Sequence, residues 1–174
     1  MKENKRIVKK LYVTYCSARK QSGVHPPKRL YISGRITRFI NKCKTVGVDW
    51  AILSALYGFI FPEEEKEDYN VTFRTDKNYW LDIAVFRNQQ KLPYLQSKEH
   101  VVQLVETLKQ NANERSIDNI IFYGPSPKMM KCYLEVLHYS FDGCSQPHSW
   151  LDLIEHVKNH SETIKVIHQV ENIR

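Results

Sequence analysis

Lys9-Lys10-Leu11-Tyr12-Val13-Thr14-Tyr15-Cys16-Ser17-Ala18-Arg19-Lys20 is the stretch whose reading decides the fold. Leu11 to Tyr15 are nearly all β-favouring residues in a continuous run, so Lys9 to Tyr15 reads as a buried strand. Directly behind it come a hydroxyl, two cations and several backbone N–H groups. Ser17, Ser22, Gly23 and the Pro26-Pro27 pair act as breakers, so Cys16 to Pro27 reads as a loop at the strand's carboxyl end.

Working outward, the apolar spacing of Ile32, Ile36, Phe39, Ile40 and Cys43 predicts a helix from about Lys28 to Thr45, stopped near Gly47. Asp49 to Ser54 predicts a second short strand running into a turn or cap at Ala55-Leu56-Tyr57-Gly58. Phe59 to Thr75 is acidic and irregular, with Glu63, Glu64, Glu65, Glu67 and Asp68 close together. Helices are predicted over Asp76 to Gln90 and over Lys98 to Asn111. The second carries Val101, Leu104, Val105 and Leu108 at helical spacing. Asp118 to Tyr123 is a third strand, followed by the turn Gly124-Pro125-Ser126-Pro127. Ser126 and Pro127 suit the N-cap and first position of a helix reaching about Tyr139. Ser149 is the expected cap of a helix bearing Trp150, Leu153, Ile154 and Val157, and the segment from Ser161 is expected to be helical.

Strands separated by long helical stretches imply βα units. The expectation is a three-layer α/β fold: a short, mainly parallel central sheet of three or four strands flanked by helices. Residues 1–174 form a single domain, with a basic tail over about residues 1–8. In open α/β sheets ligands bind outside the carboxyl ends of the strands. The loops 16–20, 54–58 and 124–126 should therefore converge.

Composition narrows the classes. A chain of 174 residues suits one domain able to bury its own core. No run of 18 or more apolar residues occurs, so no membrane span is expected. Met1 to Lys10 is charged and lacks the apolar core of a signal peptide, which makes a cytoplasmic protein the default expectation. Cys16, Cys43, Cys132 and Cys144 show no C-x-x-C spacing, and none of the seven histidines falls in an H-E-x-x-H pattern. His156 and His160 are one turn apart without an evident third ligand. No metal and no cofactor is expected. The charge is unevenly spread: residues 1–50 hold thirteen Lys/Arg against two acids, net +11, whereas residues 51–174 hold thirteen against seventeen, net −4. That asymmetry points either to an anionic partner at one end or to a basic tail on an ordinary surface.

The candidate binding residues follow from this layout. In the first loop, Ser17, Arg19 and Lys20 with backbone N–H groups can form an anion nest, although the glycines of a phosphate-binding P-loop are absent. Cys16 beside two cations is a conceivable nucleophile, but a packed strand-end thiol is favoured, since no base is fixed beside it and His25 is near only in sequence. Lys28, Tyr31, Arg35, Arg38 and Lys42 recur at spacings of 3, 4, 3 and 4 along the predicted first helix. They form either a phosphate-tracking stripe with one stacking tyrosine or a border of snorkelling side chains. Ser54, Tyr57 and Gly58 end the second strand, with Gly58 suited to a positive φ. Asp68 and Tyr69 can fold back toward a base or sugar, and Gly124 and Ser126 end the third strand.

Cys16-Ser17-x-x-Lys20, Pro27, Leu30-Tyr31-x-x-Gly34, Ile52-Leu53-Ser54-Ala55-x-Tyr57-Gly58, Pro62 and Tyr69 together resemble the pattern of a family of small proteins of unknown function from bacteria, archaea and phages. The likeness covers about residues 10–75. More distantly, the opening is similar to the uracil-DNA-glycosylase-like domain of archaeal enzymes that modify 7-deazaguanine in tRNA, and to YaaA-type DNA-binding stress proteins. That resemblance implies that Cys16, Ser17, Lys20, Ser54, Tyr57, Gly58 and Tyr69 line the site. The chain departs from the pattern at Lys28, where alanine is usual, and at Asn70, where an acid is usual.

These readings converge on a nucleotide- or nucleic-acid-binding domain with an anion site at the ends of the first two strands, with base modification as one use such a site could serve. The alternatives are an enzyme acting at an N-glycosidic bond, with Asp68 stabilising charge on the ribose, and a non-catalytic interaction module.

Overall fold

A computed structural model describes residues 7–69, 71, 97–143 and 150–174 of the chain. The predicted helix over 76–90 and the predicted cap at Ser149 lie outside the described residues. The first strand, β1 (Lys10–Tyr15), buries every residue after Lys10. That is what a continuous apolar run requires when both sheet faces are covered. It is followed by β2 (Val24–His25), the one-turn helix α1 (Pro27–Leu30), α2 (Gly34–Val46), β3 (Trp50–Ser54), β4 (Gly58–Ile60) and β5 (Lys66–Glu67). Then come α3 (Ser97–Arg115), β6 (Asn119–Tyr123), α4 (Pro127–Asp142), α5 (Trp150–His160), β7 (Ile164–Ile167) and a 3-10 turn at Val170–Asn172.

Five strands make the central sheet in the order β4-β3-β1-β6-β7. All pairs are parallel except the β3–β4 edge hairpin. Register settles the faces. Tyr12, Thr14, Trp50, Ile52, Ile121 and Tyr123 are cross-strand partners and share one face; there Phe39 of α2 stacks on Tyr123 and meets Trp50 edge-on. Leu11, Val13, Tyr15, Leu53, Ile120 and Phe122 share the other; there Tyr133 of α4 stacks on Tyr15. The three-layer expectation is met: α2 covers one face, α4 and its neighbours the other. Right-handed crossovers impose this. The chain steps from β1 to β3 in one direction, then from β3 past β1 to β6 in the opposite one, so the helices change sides. The loops leaving β1 and β6 diverge, and a crevice opens at their carboxyl ends.

Three expectations are corrected. The segment after Ser161 is a strand rather than a helix: Ile164-Lys165-Val166-Ile167 is mostly β-branched and supplies the partner that the outer edge of β6 needs. The sheet therefore has five strands. The helix drawn from Lys28 to Thr45 is two helices. Gln21 N–H donates to Leu30 O, Ile32 N–H donates to Arg19 O, and Lys20 and Tyr31 form a β-bridge. That pairing takes residues 31–33 out of helical geometry. Ser33 then caps α2, its hydroxyl accepting from Ile36 N–H. Gly47 ends α2 at φ 80°, where a side chain would be strained. Val8, placed in the basic tail by sequence, is buried and donates its backbone N–H to Arg115 O, so it belongs to the core.

Candidate functional site

The loop after β1 is anchored from several sides. Cys16 N–H donates to Leu53 O, extending the sheet by one residue. Beyond it, the bridge to Tyr31 turns the chain back over the ends of β1 and β3. β2 pairs with β5, Gly23 N–H donates to Asp68 Oδ1 at 2.9 Å, and Asp68 N–H returns a bond to Gly23 O. The residues around position 68 are thereby tied to the loop after β1.

Lys20 sits at the centre of this construction. Its Nζ lies 4.0 Å from the Tyr69 ring centroid and 5.8 Å from that of Tyr31. The Tyr31 and Tyr69 hydroxyls are bonded to each other at 2.6 Å, deep in the structure. Ser54 neighbours both phenols while its Oγ accepts from Leu56 and Tyr57 N–H, closing the β3–β4 turn. Tyr57 meets Tyr69 edge-on at 5.2 Å and donates its hydroxyl to Glu67 O. Lys20 and Tyr57 therefore both pack against Tyr69.

Burial sets the electrostatics. It lowers the basicity of Lys20, against smaller opposing effects of Cys16 and Asp68. It pushes the phenols of Tyr31 and Tyr69 well above their usual range, so both stay neutral and can pass hydrogen bonds. Burial also raises the Tyr57 phenol, with Glu67 and Asp68 adding to it. Among the described residues Lys20 has no ion-pair partner; its one hydrogen bond there runs to Ala18 O at 3.5 Å. Arg19 is exposed. Ser17 donates to Arg19 O.

The crevice between β1 and β6 has a filled floor. Arg35 Nη1 donates to Thr14 Oγ1 at 2.6 Å, and Nη2 donates to Tyr15 O at 2.8 Å and to Cys16 O at 3.3 Å. Its guanidinium lies 3.7 Å over the Tyr15 ring. Thr14 Oγ1 in turn donates to Tyr123 O. On the opposite face Cys16 Sγ contacts Tyr133 Oη at 3.3 Å. Thr14, Tyr15 and Tyr133 were missed by sequence reasoning. Thr14 and Tyr15 stand at a strand end and carried that signal, whereas no local pattern marks Tyr133.

The residues chosen from sequence thus divide. Cys16, Lys20, Ser54, Tyr57 and Tyr69 come together, with Ser17 and Arg19 on the adjoining loop and Asp68 fastening the rim. Gly124 and Ser126 end β6 on the other side of β1. His168 Nδ1 shares a hydrogen bond with Gly124 O, and Ser126 occupies the cap position of α4 without a side-chain bond. Gly58 has φ 78°, but its missing side chain points at Thr107 of α3, so it serves the hairpin rather than the cluster around Tyr69.

The basic stripe is a correction. Lys28 lies on α1 beside Lys44, Tyr31 is buried under Lys20, and Arg35 turns into the strand ends. Only Arg38 and Lys42 remain on the outer side of α2, the first exposed and the second half-buried. A base cannot stack on Tyr31 in this arrangement. His25 bonds Ser22 O rather than standing beside Cys16.

A model of one protein family matches residues 11–151, which takes in Lys20, Ser54, Tyr57 and Tyr69. The chain belongs to DUF6884, a family of unknown function. Comparison with curated proteins and with solved structures gave no match. In this DUF6884 chain no cluster of three or more His, Cys, Asp or Glu suited to a metal occurs among the described residues. Nor, among them, is any helix long and apolar enough to cross a membrane.

Proposed function

We propose that this DUF6884 chain binds the phosphate of a nucleotide or nucleic acid at the carboxyl ends of β1 and β3. The observation that carries this reading is Lys20. A half-buried ammonium with aromatic faces on one side and no ion-pair partner among the described residues is completed by an anion from outside. Arg19, next in the chain and exposed, adds a bidentate donor, and Arg38 extends positive charge along α2. Of the thirteen Lys/Arg in residues 1–50, Arg19, Lys20 and Arg35 stand at this end of the sheet, and their charge would draw such a ligand there. Tyr57, half-buried with Lys66 Nζ 5.4 Å from its ring centroid and Tyr69 at 5.2 Å, would offer what remains of its ring to a base. Binding is favoured over cleavage of an N-glycosidic bond because Asp68, the carboxylate assigned to that chemistry, engages Gly23 N–H in fastening the rim.

Titrating a fluorescent single-stranded oligonucleotide and a nucleoside triphosphate at several salt concentrations tests this. Affinity for the oligonucleotide should fall steeply with salt, and each of Lys20→Ala and Arg19→Ala should shallow the log–log slope by about 0.7. Loss of a charge-assisted bond at about 1.5–3 kcal/mol corresponds to about a 10- to 150-fold weaker Kd. Unchanged slope and affinity in the double variant would remove the anion site.

A further inference from the structure

The other end of the sheet holds a cavity that the anion site does not use. It lies at the amino ends of β1 and β3 and has a volume of about 410 Å³. Val8, Trp50, Phe61, Glu63 and Arg115 wall it, with Asp49 beside them. β1 is six residues long, so roughly 20 Å of strand separates the cavity from the loop that carries Lys20. A space of this size takes one small molecule.

Arg115 gives the cavity its chemistry. It closes α3, is 6 % exposed, and lays its guanidinium 3.5 Å from the Phe61 ring centroid. Its Nη2 donates to Glu63 Oε1 at 2.7 Å, and its other N–H groups have no acceptor among the described residues. The Glu63 side chain is 61 % exposed, and a carboxylate accepts several hydrogen bonds at once. A buried donor and an open acceptor therefore stand side by side, with the Phe61 and Trp50 rings lining the same space. An anionic group there would meet the carboxylates of Glu63 and Asp49, and a cationic one the guanidinium. A neutral planar ring whose edge carries a carbonyl next to an N–H suits both. Its oxygen accepts from Arg115, its N–H donates to Glu63, and its faces meet aromatic side chains.

We propose that this cavity binds a planar heterocycle with a lactam edge, a carbonyl beside a ring N–H, as in the oxopurine and oxopyrimidine bases. The binding is reversible and non-covalent. It stands independently of the anion-site reading, because an uncharged nucleoside brings no phosphate and the two places lie at opposite ends of the strands.

Calorimetric titration of the full chain with inosine, uridine, 1-methylinosine and 3-methyluridine tests it. The methylated compounds keep the ring, sugar and carbonyls and lose only the N–H. At least one unmethylated nucleoside should bind saturably, one per chain. Its methylated counterpart should bind about 10- to 150-fold more weakly, the loss of one hydrogen bond to a charged group. In Glu63→Gln the single amide oxygen still accepts from Arg115, which leaves an NH₂ facing the ligand's N–H. That variant should melt near the parent and weaken binding by a similar factor, whereas Lys20→Ala should leave binding unchanged. Failure of both nucleosides to bind, or methylated counterparts that bind equally well, overturns the lactam. Unchanged affinity in Glu63→Gln, or loss in Lys20→Ala, overturns the placement in this cavity. Nucleoside binding by a chain that ignores the oligonucleotide and the triphosphate at every salt concentration overturns the anion site alone.

Discussion

Replacing Arg35 by alanine separates a strut from a ligand-binding residue. By its position in the sequence Arg35 belongs to a basic stripe; in the fold its guanidinium makes three hydrogen bonds, at 2.6, 2.8 and 3.3 Å, to the last residues of β1 and the start of its loop. It also covers the Tyr15 ring at 3.7 Å. A hydrogen bond to a charged group contributes about 1.5–3 kcal/mol, and an exposed-to-partly-buried cation–π contact about 0.5–2 kcal/mol. These do not add, because water can reach the freed carbonyls of Tyr15 and Cys16 at a half-buried site. The longest bond also contributes little. A net loss of about 3 kcal/mol is the working figure. For a chain of this length that lowers Tm by about 6–12 °C. Urea and thermal unfolding followed by circular dichroism measure it. Arg35→Lys should recover only part, since an ammonium cannot make the planar fork to Thr14 and Tyr15. A Tm unchanged within about 2 °C together with lost oligonucleotide binding would refute the strut and return Arg35 to the ligand.

Further predictions follow from packing and ionisation. A Cβ on Gly124 would lie 2.2 Å from Met130 Cγ and 2.4 Å from its Sδ, so Gly124→Ala should cost about 1–3 kcal/mol in urea unfolding, with partial rescue by Met130→Ala. Glu135 is 7 % exposed, neither carboxyl oxygen has a hydrogen-bond partner among the described residues, and burial pushes its acid up to about 8 despite Lys131. The folded state then holds a proton that the unfolded chain releases above its usual carboxylate range. Stability should therefore fall by up to about 1.4 kcal/mol per pH unit from about pH 5 to 8 and level off above; Glu135→Gln should flatten that fall in a pH series of unfolding curves. Burial pushes the Cys43 thiol up to about 12, so at pH 8 its thiolate fraction is about a thousandfold below that of an unfolded cysteine. Iodoacetamide mapping should find Cys43 unmodified in the native chain and alkylated in urea.

The strands that build the centre were legible because β1, β3 and β6 are continuous apolar runs, and such runs have few other homes in a chain this size. β7 was not, because it lies at an edge: Ile164 alone is fully buried, Lys165 faces solvent, and Ile164 with Ile167 mimics a helical step. The break at Tyr31 was hidden by Ile32, which continued the apolar spacing yet stands exposed in the structure. What broke the helix is a β-bridge from eleven residues upstream, invisible to any local period. The cluster of Lys20, Tyr57 and Tyr69 was readable in part from strand-end residues, since topology fixes where strand ends go. The floor of the crevice was not. The Cys16–Tyr133 contact joins positions 117 apart, and Arg35 reads as a surface cation until the fold bends it inward.

The two-residue ladder between β2 and β5 separates the positions that hold the loop from those that merely ride on it. It fastens the loop from 16 to 33 to the segment before Tyr69 with backbone bonds, to which the Asp68 carboxylate adds one from Gly23 N–H. A buckle of that kind frees the enclosed positions from carrying the architecture. Arg19 and Gln21 enter this fastening through backbone atoms alone, so replacing either side chain should leave the strand ends and Tyr69 where they stand.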